Sequence, residues 1–86
     1  MNNLNEKKLE LVGQILTQAI EISTNSIIDV FVDFASHVNS LYVRVYLDGW
    51  NFEDKPNFND YVRLDSNDCI EKLNYIKEYL SKIRKV

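Results

Sequence analysis

His37 is the only histidine and Cys69 the only cysteine among 86 residues, and those two counts already thin out the chemistry open to this chain. A lone histidine cannot build a multi-histidine metal site, and acid–base work would need a positioned partner in a pocket. His37 falls in the polar run Ser36, His37, Asn39, Ser40, where an exposed turn is expected. A nucleophilic cysteine needs partial exposure and a nearby base. Cys69 instead heads an apolar series with Leu73, Ile76, Leu80 and Ile83, so a small buried hydrophobe is expected. One cysteine closes no intrachain disulfide and supports no cysteine cluster, which points to a reducing compartment.

The two glycines, Gly13 and Gly49, stand too far apart to write a phosphate-cradling loop. Glu53, Asp54, Asp60, Asp65 and Asp68 are acidic, but without the ligand spacing and the turn glycine of a calcium loop. They are expected to solvate the surface. No catalytic residue, metal or cofactor is expected.

A different set of residues could do recognition rather than chemistry. Phe31, Tyr42, Arg44, Tyr46, Tyr61 and Arg63 occupy the alternate positions of extended segments that their apolar neighbours do not use, and Trp50 follows close behind. Tyrosine and arginine combine a broad stackable surface with a directional polar group and dominate many interfaces. Strand propensity and cross-strand pairing would produce much of the same pattern on a merely solvated sheet.

The elements that must position these residues follow from periodicity. From Leu4 to about Ser23 apolar residues recur at helical spacing in two adjoining stripes, Leu9, Val12, Leu16, Ala19, Ile20 and Leu4, Leu11, Ile15, Ile22, which predicts a helix with a wide buried face. Gly13 lies at the edge of that arc, where glycine costs about 1 kcal/mol against alanine. At Ile27 the period drops from 3.6 to 2. Ile28, Val30, Val32 and Phe34 form the inner face of one strand, and Leu41, Val43, Val45 and Leu47 that of a second, close enough for a hairpin.

Asp48–Gly49 signals a turn, and the segment to Asn59, with Pro56 and isolated Trp50, Phe52 and Phe58, is expected to be one ordered, exposed loop. A short third strand is expected from Tyr61 to Leu64, with Val62 and Leu64 inward. Asp65 to Asp68 offer N-caps for a final helix. Buried together, the parts give a two-layer α+β sandwich in the order α-β-β-β-α, a three-stranded antiparallel sheet with both helices on one face. Residues 1–86 are expected to make a single domain.

The net charge of −3, without a basic arm, disfavours generic nucleic-acid binding. The polar first ten residues do not resemble a signal sequence, and no stretch reaches the roughly 20 apolar residues of a membrane span, so the cytoplasm is the expected location, with no membrane partner. Frequent Asn, Lys and Ile suit an AT-rich bacterial or phage gene. The expected role is a non-catalytic protein-interaction module that uses the open aromatic sheet face, the Asp48–Asn59 loop or a sheet edge to meet itself, most simply as a homodimer, or another protein. Two alternatives are single-stranded nucleic acid stacking on Tyr42, Tyr46, Phe31 or Tyr61, and an acidic inhibitor or immunity-type protein that blocks a basic partner.

Overall fold

The structure is a computed structural model that describes residues 3–84, with side chains from Glu6 onward; Leu4's place in the predicted stripe lies outside the described side chains. The element order is α1 (Asn3–Asn25), β1 (Asp29–Ala35), β2 (Ser40–Tyr46), β3 (Phe58–Arg63) and α2 (Cys69–Ile83). The sheet is antiparallel with strand order β1-β2-β3, so β2 is central and β1 and β3 are edges. Both helices lie on one face. Leu11, Ile15 and Ile22 of α1 and Cys69, Leu73, Ile76 and Leu80 of α2 close over Leu41, Val43, Val45 and Val62 in one buried cluster, the two-layer arrangement that the apolar periodicities require.

The register explains which residues share a face. Val32 pairs with Val43, Phe34 with Leu41 and Leu41 with Val62, while Phe31 pairs with Arg44, Asp33 with Tyr42 and Tyr42 with Tyr61. The hairpin between β1 and β2 turns through residues 36–39, and Asn39 takes a left-handed φ of 52° there, a conformation that asparagine tolerates better than most residues. At the other end Gly49 has φ 89°, and a Cβ would come within 3.3 Å of the Ile27 carbonyl oxygen, so glycine is required at this turn.

Local hydrogen bonds set the helix ends. Ser26 donates its hydroxyl to the Ile22 carbonyl at 2.7 Å and accepts the Ile28 N–H, and Ser23 Oγ accepts the Val30 N–H at 3.0 Å. This polar run therefore ties the end of α1 to the start of β1. Asp68 stands at the N-cap of α2 without a side-chain capping bond. Its carboxylate instead accepts the Ser66 hydroxyl at 2.7 Å, and that bond, first among several causes, holds its pKa below the usual value.

Three expectations need correction. The third strand begins at Phe58, not Tyr61, and ends at Arg63; Phe58 is no loop aromatic but stacks on Tyr79 with ring centroids 3.9 Å apart. The buried face of α1 is narrower than predicted: Leu11, Ile15, Ala19 and Ile22 are buried, whereas Leu9, Leu16 and Ile20 are 64%, 47% and 58% exposed. Phe34, expected inward and buried, is 57% exposed. The widths of the two layers account for the exposed side of α1. Three strands at about 4.8 Å spacing make a sheet narrower than two helices packed about 10 Å apart. With α2 beside it, α1 lies along β1 and overhangs the sheet edge, so its far side has no strand beneath it.

Candidate interaction surfaces

Two surfaces offer themselves, and the aromatic sheet face is the one the residue types announce. Phe31, Tyr42, Arg44, Tyr46, Tyr61 and Arg63 all lie on the side of the sheet away from the helices, as alternation demands. Most of them, however, are engaged with one another. Tyr46 is 5% exposed and meets Phe31 edge to face at 5.7 Å. The Arg44 guanidinium lies 4.7 Å from the Phe31 ring centre and 5.7 Å from that of Tyr42, and its Nη2 donates to Asp33 at 3.2 Å. These contacts join a cation to two aromatic faces and a carboxylate within one subunit.

Around that cluster the remaining residues are also tethered. Ser40 donates its hydroxyl to the Tyr61 hydroxyl oxygen at 2.8 Å. Arg63 forks onto Asp65, with Nε and Nη2 at 3.3 and 3.2 Å from its two oxygens. Trp50 is held at the opposite end, its backbone N–H donating to Asp29 Oδ2 at 2.6 Å, and the residue is 52% exposed. The structure thus assembles Phe31, Tyr42, Arg44 and Tyr46 into one patch, sets Tyr61 beside it, and leaves Arg63 and Trp50 at separate ends. The loop that carries Trp50 folds back on the sheet: Asn57 Oδ1 accepts the Leu47 N–H at 2.7 Å, and the Asn57 N–H donates to the Val45 carbonyl at 2.8 Å.

The second surface is the overhanging flank of α1. Leu9, Leu16 and Ile20 stand exposed on it, beside an open groove floored by Val30 and Val32 with Leu16, Ala19 and Ile20 on its helix wall. Phe34 is exposed farther along the same edge strand. At the edge itself Ser23 occupies the Val30 N–H, so the start of β1 is already capped. Unlike the sheet face, this flank has no ion pair or ring stack to occupy its large side chains among the described residues.

Comparison with protein-family models, with curated proteins and with solved structures finds no match.

The remaining chemistry-bearing groups stand as follows. His37 is exposed in the β1–β2 turn. No group of three or more His, Cys, Asp or Glu side chains among the described residues is placed to hold a metal ion. No helix among the described residues is long and apolar enough to cross a membrane. Cys69 is 1% exposed, and burial pushes its thiol pKa up; burial does the same to the Tyr79 hydroxyl.

A raised pKa favours the protonated thiol in the folded chain. Its contribution to stability is therefore complete below the unfolded thiol value of about 8.5 and is lost as pH rises through the higher folded value. Urea titrations are expected to show constant stability at neutral pH and a decline that begins near that unfolded value. Cys69→Ala should remove the first part of the decline and leave the part due to Tyr79, which begins near pH 10. An identical onset in this variant would show that the thiol has no share in it.

The exposed flank of α1 is not visible in the periodicity alone, because apolar spacing predicts burial for every position of the stripe. The available signal was geometric: the apolar arc from Leu11 through Ile15 and Ala19 to Leu9 and Ile20 spans about half the helix circumference at 100° per residue, more than one small sheet covers.

Proposed function

We propose that this chain is a small non-catalytic protein-interaction module of a reducing, cytoplasm-like compartment, and that the overhanging α1 flank is its working surface. The observation that carries this reading is the exposure of Leu9, Leu16 and Ile20 along one side of α1. Large aliphatic side chains left together in water are costly, and a contiguous exposed patch marks an interaction site more often than a scattered residue does. The aromatic sheet face supports the role less well, because Tyr46 is buried and Arg44 is committed to Asp33, Phe31 and Tyr42.

The same observations weigh against a stacking platform for single-stranded nucleic acid. Such a platform needs ring faces free for bases and arginines free for phosphates, whereas both Arg44 and Arg63 are paired with carboxylates. The net charge of −3 would suit an inhibitor of a basic protein, but among the described residues Asp33 is the one acidic side chain lining the groove beside the apolar flank.

The test is a pair of variants. Leu9→Glu combined with Ile20→Glu should keep the wild-type circular dichroism spectrum, since both sites are exposed, and should lose the binding partners that the wild-type chain retains in affinity capture. Tyr61→Ala combined with Arg63→Ala should keep them. Equal partner sets for the flank variant and the wild type would overturn the assignment.

A further inference from the structure

We propose that the α1 flank binds a second copy of this chain, with the two α1 helices antiparallel about a two-fold axis that seats each Leu16 against Gly13 of the other copy. The proposal rests on the flank being the working surface, as argued above, and names its partner.

Leu9, Gly13, Leu16 and Ile20 recur at spacings of four, three and four. At 100° per residue they fall within about 60° of one another on the helix. This is the spacing of a seam between two helices, in which a knob on one enters a hole on the other. Three of the four positions hold exposed aliphatic side chains. The fourth, Gly13, is exposed, and a Cβ built there would meet nothing within 4 Å. No close approach among the described residues therefore explains a glycine in mid-helix, where it weakens the helix. The missing side chain leaves a gap in the row between Leu9 and Leu16; on its other side Gly13 borders a shallow hollow lined by Glu10, Gln14, Thr17 and Gln18 and by Lys77 of α2.

Antiparallel pairing in which partner positions sum to 29 sets Leu9 opposite Ile20 and Gly13 opposite Leu16, twice over by symmetry. Each large residue then meets a large residue at the ends, and the central leucines enter the glycine gaps. A parallel pair would set Gly13 against Gly13 and leave a void. It would also bring Glu6 and Glu10 of the two copies side by side, whereas the antiparallel pair sets them opposite Ser23 and Ala19, in a half of α1 whose one charge, Glu21, is paired with Arg84. Opposed helix dipoles favour the same choice.

The area is sufficient. Leu9, Leu16, Ile20 and Phe34 together expose on the order of 400 Å² of mostly apolar surface, within the range of the largest patch on a monomer. A specific pair usually buries about 800 Å² per partner, roughly 57% of it apolar, so these side chains would supply most of the roughly 450 Å² of apolar area that such a contact needs.

Sedimentation equilibrium between about 1 and 500 µM should show reversible dimers of twice the chain mass, with half-dissociation at roughly 1–100 µM. Leu16→Glu should weaken association at least tenfold without loss of helical signal. Gly13→Gln, which fills the gap with a better helix former, should raise the melting temperature at low concentration yet also weaken association at least tenfold. The register is read by cross-linking. Leu9→Cys chains mixed with Ile20→Cys chains should form disulfides under mild oxidation, and each alone should not, because identical positions would stand about 16 Å apart. Cys69, being buried, stays out of the reaction.

A wild-type chain that remains monomeric across the range overturns the self-association. If Leu9→Glu/Ile20→Glu then still loses a different protein partner, the flank remains the working surface and only its occupant was misassigned. Dimers whose Leu9→Cys chains cross-link alone overturn the antiparallel register.

Discussion

Ile76→Ala is expected to remove about 2–5 kcal/mol of folding stability. Chains of this length have roughly 4–13 kcal/mol in all, at about 0.05–0.15 kcal/mol per residue, so this one substitution should consume a large share of the total. Ile76 is fully buried, as are Leu73 and Leu80 beside it on α2 and Val43 and Val62 beneath on the sheet. Deleting its outer carbons loses their transfer free energy and leaves a cavity that the opposing β-branched valines, stiff at χ1, are poorly able to fill. Leu16→Ala removes a similar amount of hydrocarbon from a residue that is 47% exposed and should cost less than about 1 kcal/mol in the isolated chain. Urea denaturation at low micromolar concentration reads both. Equal losses would mean that α1 turns its Leu16 side into the core, which would also remove the docking flank.

That contrast shows where sequence reasoning held and where it stopped. The four-three-four-three series from Cys69 to Ile83 is narrow, matches one helix face, and is buried as read, apart from half-buried Ile83. The alternation of β2 is equally clear, because β2 is central and carries Leu41, Val43 and Val45 on its covered side. β3 was misread at its start because Asp60 sits on the covered side opposite Val43. A polar residue between Phe58 and Val62 breaks the period-2 signal, and tertiary pairing overrides it.

The α1 flank was illegible for a different reason. Periodicity reports which side chains are apolar, while burial depends on how wide a sheet lies beneath, and that width is fixed only when the third strand takes its place. On the aromatic face the residue types and the option of cross-strand pairing are legible in the sequence, but which side chains pair is not. Whether Arg44 reaches outward or lies over Phe31 and Tyr42 depends on the register that sets Phe31 against Arg44 and Asp33 against Tyr42, and alternation alone leaves that register open.

Tyr46→Asp should unfold the chain at neutral pH, a result that separates a structural tyrosine from an exposed docking residue. Tyr46 is 5% exposed, meets Phe31 edge to face at 5.7 Å, and pairs with Asp29 in the ladder. The substitution would discard the ring contact, worth about 0.5–1.5 kcal/mol beyond its buried area. It would also bury a carboxylate without a cation and set it directly across from another carboxylate, at a further cost of several kcal/mol. Together these losses rival the whole stability of the chain. Protonation would relieve part of the cost, so any residual folding should grow as pH falls through the raised pKa of the new carboxyl. Tyr46→Phe keeps the ring and should cost no more than about 1 kcal/mol. Thermal melts followed by circular dichroism distinguish the two. A folded Tyr46→Asp chain with a wild-type melting temperature would mean that the sheet face is open at Tyr46, restoring that face as a candidate for contact with a partner.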